Sequence, residues 1–259
     1  MATRSLLFIS LITLIAVSCT PTKNVAYLSN IQDASFKSNM AVTEAPIQSN
    51  DILSIYISSL DAEASAIFNA NNTFIAKSTT ATGTSTQSAG YLVNMEGNIQ
   101  MPILGNVKAA GLTKTELKQS ITQALLTKKL LIDPVVDIRY LNFEVTVLGE
   151  VAKPTVITVP SERISLVKAL GLAGDLTIYG KRTNVLLIRE ENGKRTTRRI
   201  DLNSPNFISS PYYYLQPNDV VYVEPNKAKI ASAGRSQQLL PIILSSLSVV
   251  VIVLDRVIK

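Results

Sequence analysis

Histidine is absent from the 259-residue chain, tryptophan is absent, and cysteine occurs once, at Cys19. Each scarcity removes a class of chemistry. Without histidine there is no Ser-His or Cys-His nucleophile pair and no HExxH zinc motif. One cysteine cannot close a disulfide within one copy, and a cysteine–histidine zinc site lacks its ligands. No GxGxxG or GxxxxGK[ST] phosphate loop is present. Aspartates and glutamates are scattered, and nothing pairs two of them as an acid and a base. The residues therefore point away from an enzyme and imply no cofactor and no metal. Charged residues make up only 17% of the chain against 46% hydrophobic, so most of it can bury a core. The formal charge is +6, and 24 basic minus 19 acidic residues, or +5, once Arg4 is removed with an N-terminal leader. That is no nucleic-acid footprint. It suits an anionic partner such as an acidic glycan or lipid headgroups, or simply a soluble basic surface.

The single cysteine has a telling context. Arg4 precedes an apolar run from Leu6 to Val17, which suits a signal-peptide core and is too short to span a bilayer. Leu14-Ile15-Ala16-Val17-Ser18-Cys19 resembles a bacterial lipobox. That resemblance implies cleavage before Cys19 and acylation of its thiol, and two or three acyl chains anchor a protein stably. An ordinary secretory signal with a chance cysteine at its end is the other reading. On the first, residues 1–18 are a lipoprotein signal peptide and 19–43, polar and irregular, are a tether.

At Ile47 the texture changes. "IQSNDILSIYI" reads as a turn at Ser49-Asn50-Asp51 feeding a strand. Asp61 to Phe68 fits a short helix. Residues 69–90, rich in Thr, Ser, Asn and Ala, bury little and read as an exposed, mobile excursion. "GYLVNMEGNIQMPILGNVKAAG", residues 90–111, reads as a hairpin turning at Glu96-Gly97-Asn98. Thr113 and Glu116 form a capping box for a helix reaching about Lys128, with Leu117, Ile121, Ala124 and Leu125 on one face. "DPVVDIRYL" is a strand with Pro134 at its start. "FEVTVLGEVAKPTVITVP" is two strands joined near Lys153-Pro154. Ser165 caps a short helix that Gly174 stops. Asn192-Gly193 turns a further hairpin, and "LQPNDVVYVEP" is a turn and strand. That last segment repeats the first: Gln48, Asn50 and Asp51 align with Gln216, Asn218 and Asp219, each set ahead of an apolar strand. Either both turns meet one demand, an Asp-capped turn delivering chain into a buried strand, or a common motif recurs by chance.

Several of these motifs, in this order, resemble the outer-membrane polysaccharide export proteins of capsule and exopolysaccharide systems, in a short form. Gly97, Ile99, Pro102, Leu104 and Gly105, then Ala110, Gly111, Leu112 and Thr113, fall on the pattern of that family's export domain. Leu166, Ala173-Gly174, Tyr179-Gly180 and Arg189 fall on the pattern of a SLBB domain. Asn50 and Asn218 stand where the family commonly has glycine, so asparagine must adopt left-handed geometry there. The resemblance covers roughly residues 45–225. It implies an α+β chain: a mixed α/β export domain at 44–142, a β-grasp-like SLBB domain at 143–225, a linker at 226–236 and a C-terminal transmembrane helix at 237–257. It also implies a ring-shaped homo-oligomeric channel, non-enzymatic, lipid-anchored in the bacterial outer membrane with its domains in the periplasm. The expected cargo is a capsular polysaccharide or exopolysaccharide, and the expected partner an inner-membrane copolymerase of the tyrosine-kinase type. A periplasm-facing lipoprotein that binds glycan or peptidoglycan without transporting it is the alternative.

"LLPIILSSLSVVVIVL", residues 239–254, carries the membrane reading; as a helix it spans about 24 Å, and the bacterial outer membrane is thinner than average. A buried core helix is the other reading. Gln238, Ser245, Ser248 and Asp255 fall near one helical face, with Ser246 off it and Ile252 interrupting. In a ring of helices that stripe would face the pore; chance spacing of serines explains it equally. Lys194, Arg195, Arg198 and Arg199 form a basic hairpin, either a solvated face or a contact for an acidic glycan or partner.

Overall fold

The computed structural model describes Tyr27, residues 44–70, 90–191 and 193–232, and eleven helical residues between Leu239 and Arg256. The leader, all of the tether but Tyr27, and most of the excursion at 69–90 lie outside the described residues.

Two hydrophobic cores follow one another along the chain. The first gathers Ile47, Leu53, Ile55, Ile57, Leu117, Ile121, Leu125, Val136 and Ile138, with others between them in sequence. Its sheet is antiparallel: β1 (Ile52–Ser58) lies between β2 (Tyr91–Leu92) and β5 (Val135–Tyr140). Alternation along β1 turns Leu53, Ile55 and Ile57 into the core, as a half-covered antiparallel sheet requires. Helix α1 (Ala62–Asn69) is capped by Asp61, whose side chain accepts from the Ala64 N–H. Helix α2 (Lys114–Thr127) begins with the anticipated capping box: the Glu116 N–H donates to Thr113 Oγ1 while Glu116 accepts from the Thr113 N–H. Leu117, Ile121 and Leu125 are its fully buried stripe, each stabilising the core by about 1.5–3 kcal/mol relative to exposure.

The hairpin in this region differs from the sequence expectation. Its arms are β3 (Asn98–Met101) and β4 (Gly105–Lys108), joined through Pro102-Ile103-Leu104. The turn at Asn94–Gly97 exists, with the Gly97 N–H donating to the Asn94 carbonyl, but it leads β2 into β3 rather than pairing them. The reason is that β2 spends its hydrogen bonds on β1.

The second core runs from Phe143 to Val223. A five-stranded sheet has the order β10-β9-β12-β6-β7, comprising β6 (Glu144–Gly149), β7 (Thr155–Thr158), β9 (Gly180–Glu191), β10 (Lys194–Ile200) and β12 (Val220–Pro225). Strand β12 is central, parallel to β6 and antiparallel to β9. A parallel pair needs a long crossover, and the intervening chain supplies helix α3 (Leu166–Leu172) and the two-stranded ladder of β8 (Ile164–Ser165) with β11 (Tyr214–Leu215). Helix α3 buries Leu166, Ala169 and Leu170. It ends as expected at Gly174: the Gly174 N–H reaches the Gly171 carbonyl and the Asp175 N–H the Leu170 carbonyl, a Schellman pair. The short helix α4 (Lys227–Ser232) follows β12. The chain is therefore α+β with two mixed units in series. Among the described residues no helix is long and apolar enough to cross a membrane. The residues described between Leu239 and Arg256 are helical and exposed.

The two units meet at Glu162, a residue held at φ 53°. One carboxylate oxygen accepts from the Tyr140 N–H at 2.6 Å and the other from Lys114 Nζ at 2.7 Å. The Gln48 amide adds a bond to the Glu190 carbonyl at 2.6 Å.

Gly149 ends β6 at φ +91°, and a Cβ there would lie 2.2 Å from the Val223 carbonyl oxygen of the parallel partner. Gly193 also has positive φ, but nothing lies within 4 Å of its added Cβ. Gly149→Ala should therefore cost about 3 kcal/mol in urea unfolding and Gly193→Ala about 1 kcal/mol. Equal losses would contradict the close approach of β6 and β12.

Candidate functional site

The repeated Gln-x-Asn-Asp segments fold into the same device. Asn50 and Asn218 have φ 72° and 65°, the left-handed geometry expected of asparagine in those places. The Gln48 N–H donates to Asp51 Oδ2 and the Gln216 N–H to Asp219 Oδ2, both at 2.7 Å. Each turn is stitched to a neighbouring segment by the same two bonds. Asn50 N–H reaches the Val93 carbonyl while the Asp51 carbonyl accepts from Val93; Asn218 N–H reaches the Glu144 carbonyl while the Asp219 carbonyl accepts from Thr146.

The carboxylates differ in what balances them. Asp219 is fully buried and takes a fork from buried Arg189, Nε to Oδ1 at 2.9 Å and Nη2 to Oδ2 at 2.7 Å. Removing one partner of such a pair strands a buried charge at a cost of about 3–5 kcal/mol. Asp51 is equally buried, yet no cation pairs with it among the described residues. Burial pushes its carboxyl up to about 6, with the Gln48 N–H pulling the other way. Tyr140 lies beside it, its hydroxyl raised by burial and by the nearby charges of Asp51, Glu162 and Glu44.

The basic hairpin does not present its four cations as one patch. Strand parity puts Arg198 opposite buried Leu187, on the core side, and Arg199 opposite Leu186 on the other. Arg199 binds Glu224 at 2.6 Å and Arg195 binds Glu190 at 3.2 Å. The Arg199 hydrogen bond, with Lys181 nearby, holds the Glu224 carboxyl below its usual range. Lys194 is exposed at the start of β10. Arg198 instead donates to the Tyr212 hydroxyl at 2.9 Å. Its guanidinium and that of Arg189 lie 5.9 and 5.6 Å from the Tyr212 ring, and Arg163 lies 4.2 Å from the Tyr214 ring. Arginine and tyrosine side chains thus alternate around Tyr212, with the charge of buried Arg189 already held by Asp219. The sequence reading missed it, although three successive tyrosines in a chain with 6% aromatics were a visible signal.

Of the other candidate residues, Cys19, Gln238 and Asp255 lie outside the described residues. Ser245 and Ser248 are exposed on the C-terminal helix, and their hydroxyls donate to the carbonyls of Ile242 and Ser245 at 2.9 and 2.7 Å. Among the described residues no three Asp, Glu, His or Cys side chains gather to hold a metal ion.

Comparison with known proteins adds two domain matches and two relatives. Residues 40–141 match the family described as polysaccharide biosynthesis/export protein, and residues 144–223 match the SLBB domain. The chain is 30% identical over 142 residues to the EPS I polysaccharide export outer membrane protein EpsA of Ralstonia solanacearum, covering 53% of this chain and 37% of that protein. It is 31% identical over 140 residues to the protein of the same name from Ralstonia nicotianae, covering 52% and 36%. The match thus spans little more than a third of the length of these relatives.

The unbalanced carboxyl of Asp51 sets a pH dependence. Its folded value, about 6, lies above the ordinary 3.8, so its stabilising contribution is complete below about pH 3.8 and lost as pH rises through about 6. Roughly two units correspond to about 3 kcal/mol. Urea unfolding of the unaltered chain should gain stability between about pH 7.5 and pH 4.5, relative to Asp51→Asn, which still accepts from the Gln48 N–H. Parallel pH profiles for the two proteins would contradict this.

Proposed function

We propose, for a chain that belongs to the polysaccharide biosynthesis/export family, that it is an outer-membrane lipoprotein whose copies form a ring-shaped channel for capsular polysaccharide or exopolysaccharide. The observation that carries this reading is the tandem order of the two matched domains, each with its own core and each with its central strand led in by the same Asp-anchored turn. The likeness in name and sequence to outer membrane export proteins supports the location. Cys19 carries the lipid. The helix at 237–257 crosses the outer membrane beside its counterparts, lipid on its apolar face and Gln238, Ser245, Ser248 and Asp255 toward the pore. The chain moves polymer rather than cutting it. Polymer arrives from an inner-membrane copolymerase of the tyrosine-kinase type, and the arginines and tyrosines around Tyr212 offer it a glycan-binding face, Arg198 foremost; Lys194 shares that face of β10, whereas Arg195 and Arg199 lie on the other.

Three experiments test this. Cys19→Ser should leave uncleaved precursor that incorporates no labelled palmitate. Deleting residues 237–259 should leave a folded, lipid-anchored protein that exports nothing, because the described residues of that segment join neither core. An epitope tag after Lys259 should be reached by antibody on intact cells, while one placed between residues 69 and 90 should not. A hidden C-terminal tag in cells that export normally would remove the crossing helix from the account.

A further inference from the structure

Two strands at the centre of the second domain break the alternation of a sheet with one solvated face. Strand β9 runs Val185-Leu186-Leu187-Ile188 and β12 runs Val220-Val221-Tyr222-Val223, apolar or aromatic at every position. Their inward residues, Val185, Leu187, Val221 and Val223, fill the second core. Runs apolar on both faces belong to strands covered on both sides. Here the cover lies on one side. Helix α3 and the β8–β11 ladder send Leu166, Leu170, Ile164 and Leu215 into that core, and α4 buries none of its residues.

The outward residues meet across the sheet. Tyr222 pairs with Leu186 on one side and Leu148 on the other. Two residues along, Val220 lies between Ile188 and Thr146, and Thr146 pairs with Val156. Leu148, Val156, Leu186, Ile188, Val220 and Tyr222 thus form one patch across four strands, each of them half-buried or exposed. Charged groups border it: Arg199 with Glu224 at one end of the strands, Arg195 with Glu190 at the other, where Glu144 of β6 is also exposed. An apolar centre inside a polar border is the anatomy of a protein–protein contact. A glycan's hydroxyls would find no hydrogen-bond partner on leucine, isoleucine and valine.

The opposite side of the same domain carries a surface that fits. Helix α3 turns Leu166, Ala169 and Leu170 to the core and leaves Val167, Lys168, Gly171 and Leu172 outside. Val167 and Leu172 are 42% and 56% exposed. A Cβ added at Gly171 would meet nothing within 4 Å, so a neighbour can approach the backbone there. Among the described residues neither Lys168 nor Glu144 has an ion-pair partner, and their charges are opposite. A helix laid on the bare side of a sheet completes the layer that strands apolar on both faces require.

We infer that α3 of one copy docks on the outward face of the five-stranded sheet of the next copy, a head-to-tail contact. This rests on the ring proposed above and adds which two surfaces meet. They are opposite sides of one two-layer domain, so each copy uses both, and the contact repeats from copy to copy instead of closing a pair.

The chain has one cysteine of its own, so two introduced thiols read the contact in whole membranes. With Val220→Cys and Leu172→Cys together in the full-length chain, mild oxidation should give a ladder of disulfide-linked multimers, each copy joined to two neighbours. Neither substitution alone should give one. Dimers from Val220→Cys alone would mean that like faces meet, which overturns the inference. In detergent, Ile188→Arg and Leu172→Arg should each leave single copies, with urea midpoints close to that of the unaltered chain, since neither side chain belongs to the core. Mixed, the two should form one-to-one pairs, because the intact α3 of the first variant meets the intact sheet face of the second. Rings that persist in both arginine variants overturn the inference and leave the channel standing; if those rings export nothing, the face serves a different partner. Single copies of the unaltered chain overturn both.

Discussion

A buried aspartate that accepts the N–H three residues before it is the contact on which both domains are built. At Asp51 and again at Asp219 it closes a turn whose asparagine adopts left-handed geometry. The residue after each turn starts β1 or β12, the middle strand of its sheet. A carboxylate without a cap would be costly to bury. The turn gives it a donor and places the strand's alternation in register with the core. Shifting that register by one residue would turn Leu53, Ile55 and Ile57, or Val221 and Val223, to the opposite face.

The two turns are also joined to each other through the end of β9. Gln48, inside the first turn, holds the Glu190 carbonyl, and the adjacent Arg189 holds Asp219 in the second. Glu162 closes the other side of the joint by binding Tyr140 and Lys114 together. A domain pair fixed at two separate points resists hinge motion, as a subunit of the proposed ring-shaped channel would need.

Much of this was legible because its causes are local. The capping box at Thr113 and Glu116, the Gly174 stop, the hairpin of β9 and β10 and the paired turns each depend on hydrogen bonds between nearby residues, so residue type and spacing declare them. What was not legible depends on partners far along the chain. The turn at Asn94–Gly97 has hairpin chemistry, but β2 pairs with β1, so the ladder forms instead through Pro102-Ile103-Leu104. The four cations of β10 looked like one patch because their parity matters only once Val185 and Leu187 fix which face is buried. Glu162 carried no local signature at all; it is defined by contacts in the other domain.

The proposed export channel requires a passage enclosed by several copies. The most direct measurement is therefore the particle shape of the full chain extracted in detergent and imaged by negative stain. Closed rings with a central hole are the predicted result. A uniform population of single copies would contradict the channel and leave a lipoprotein that binds glycan without moving it.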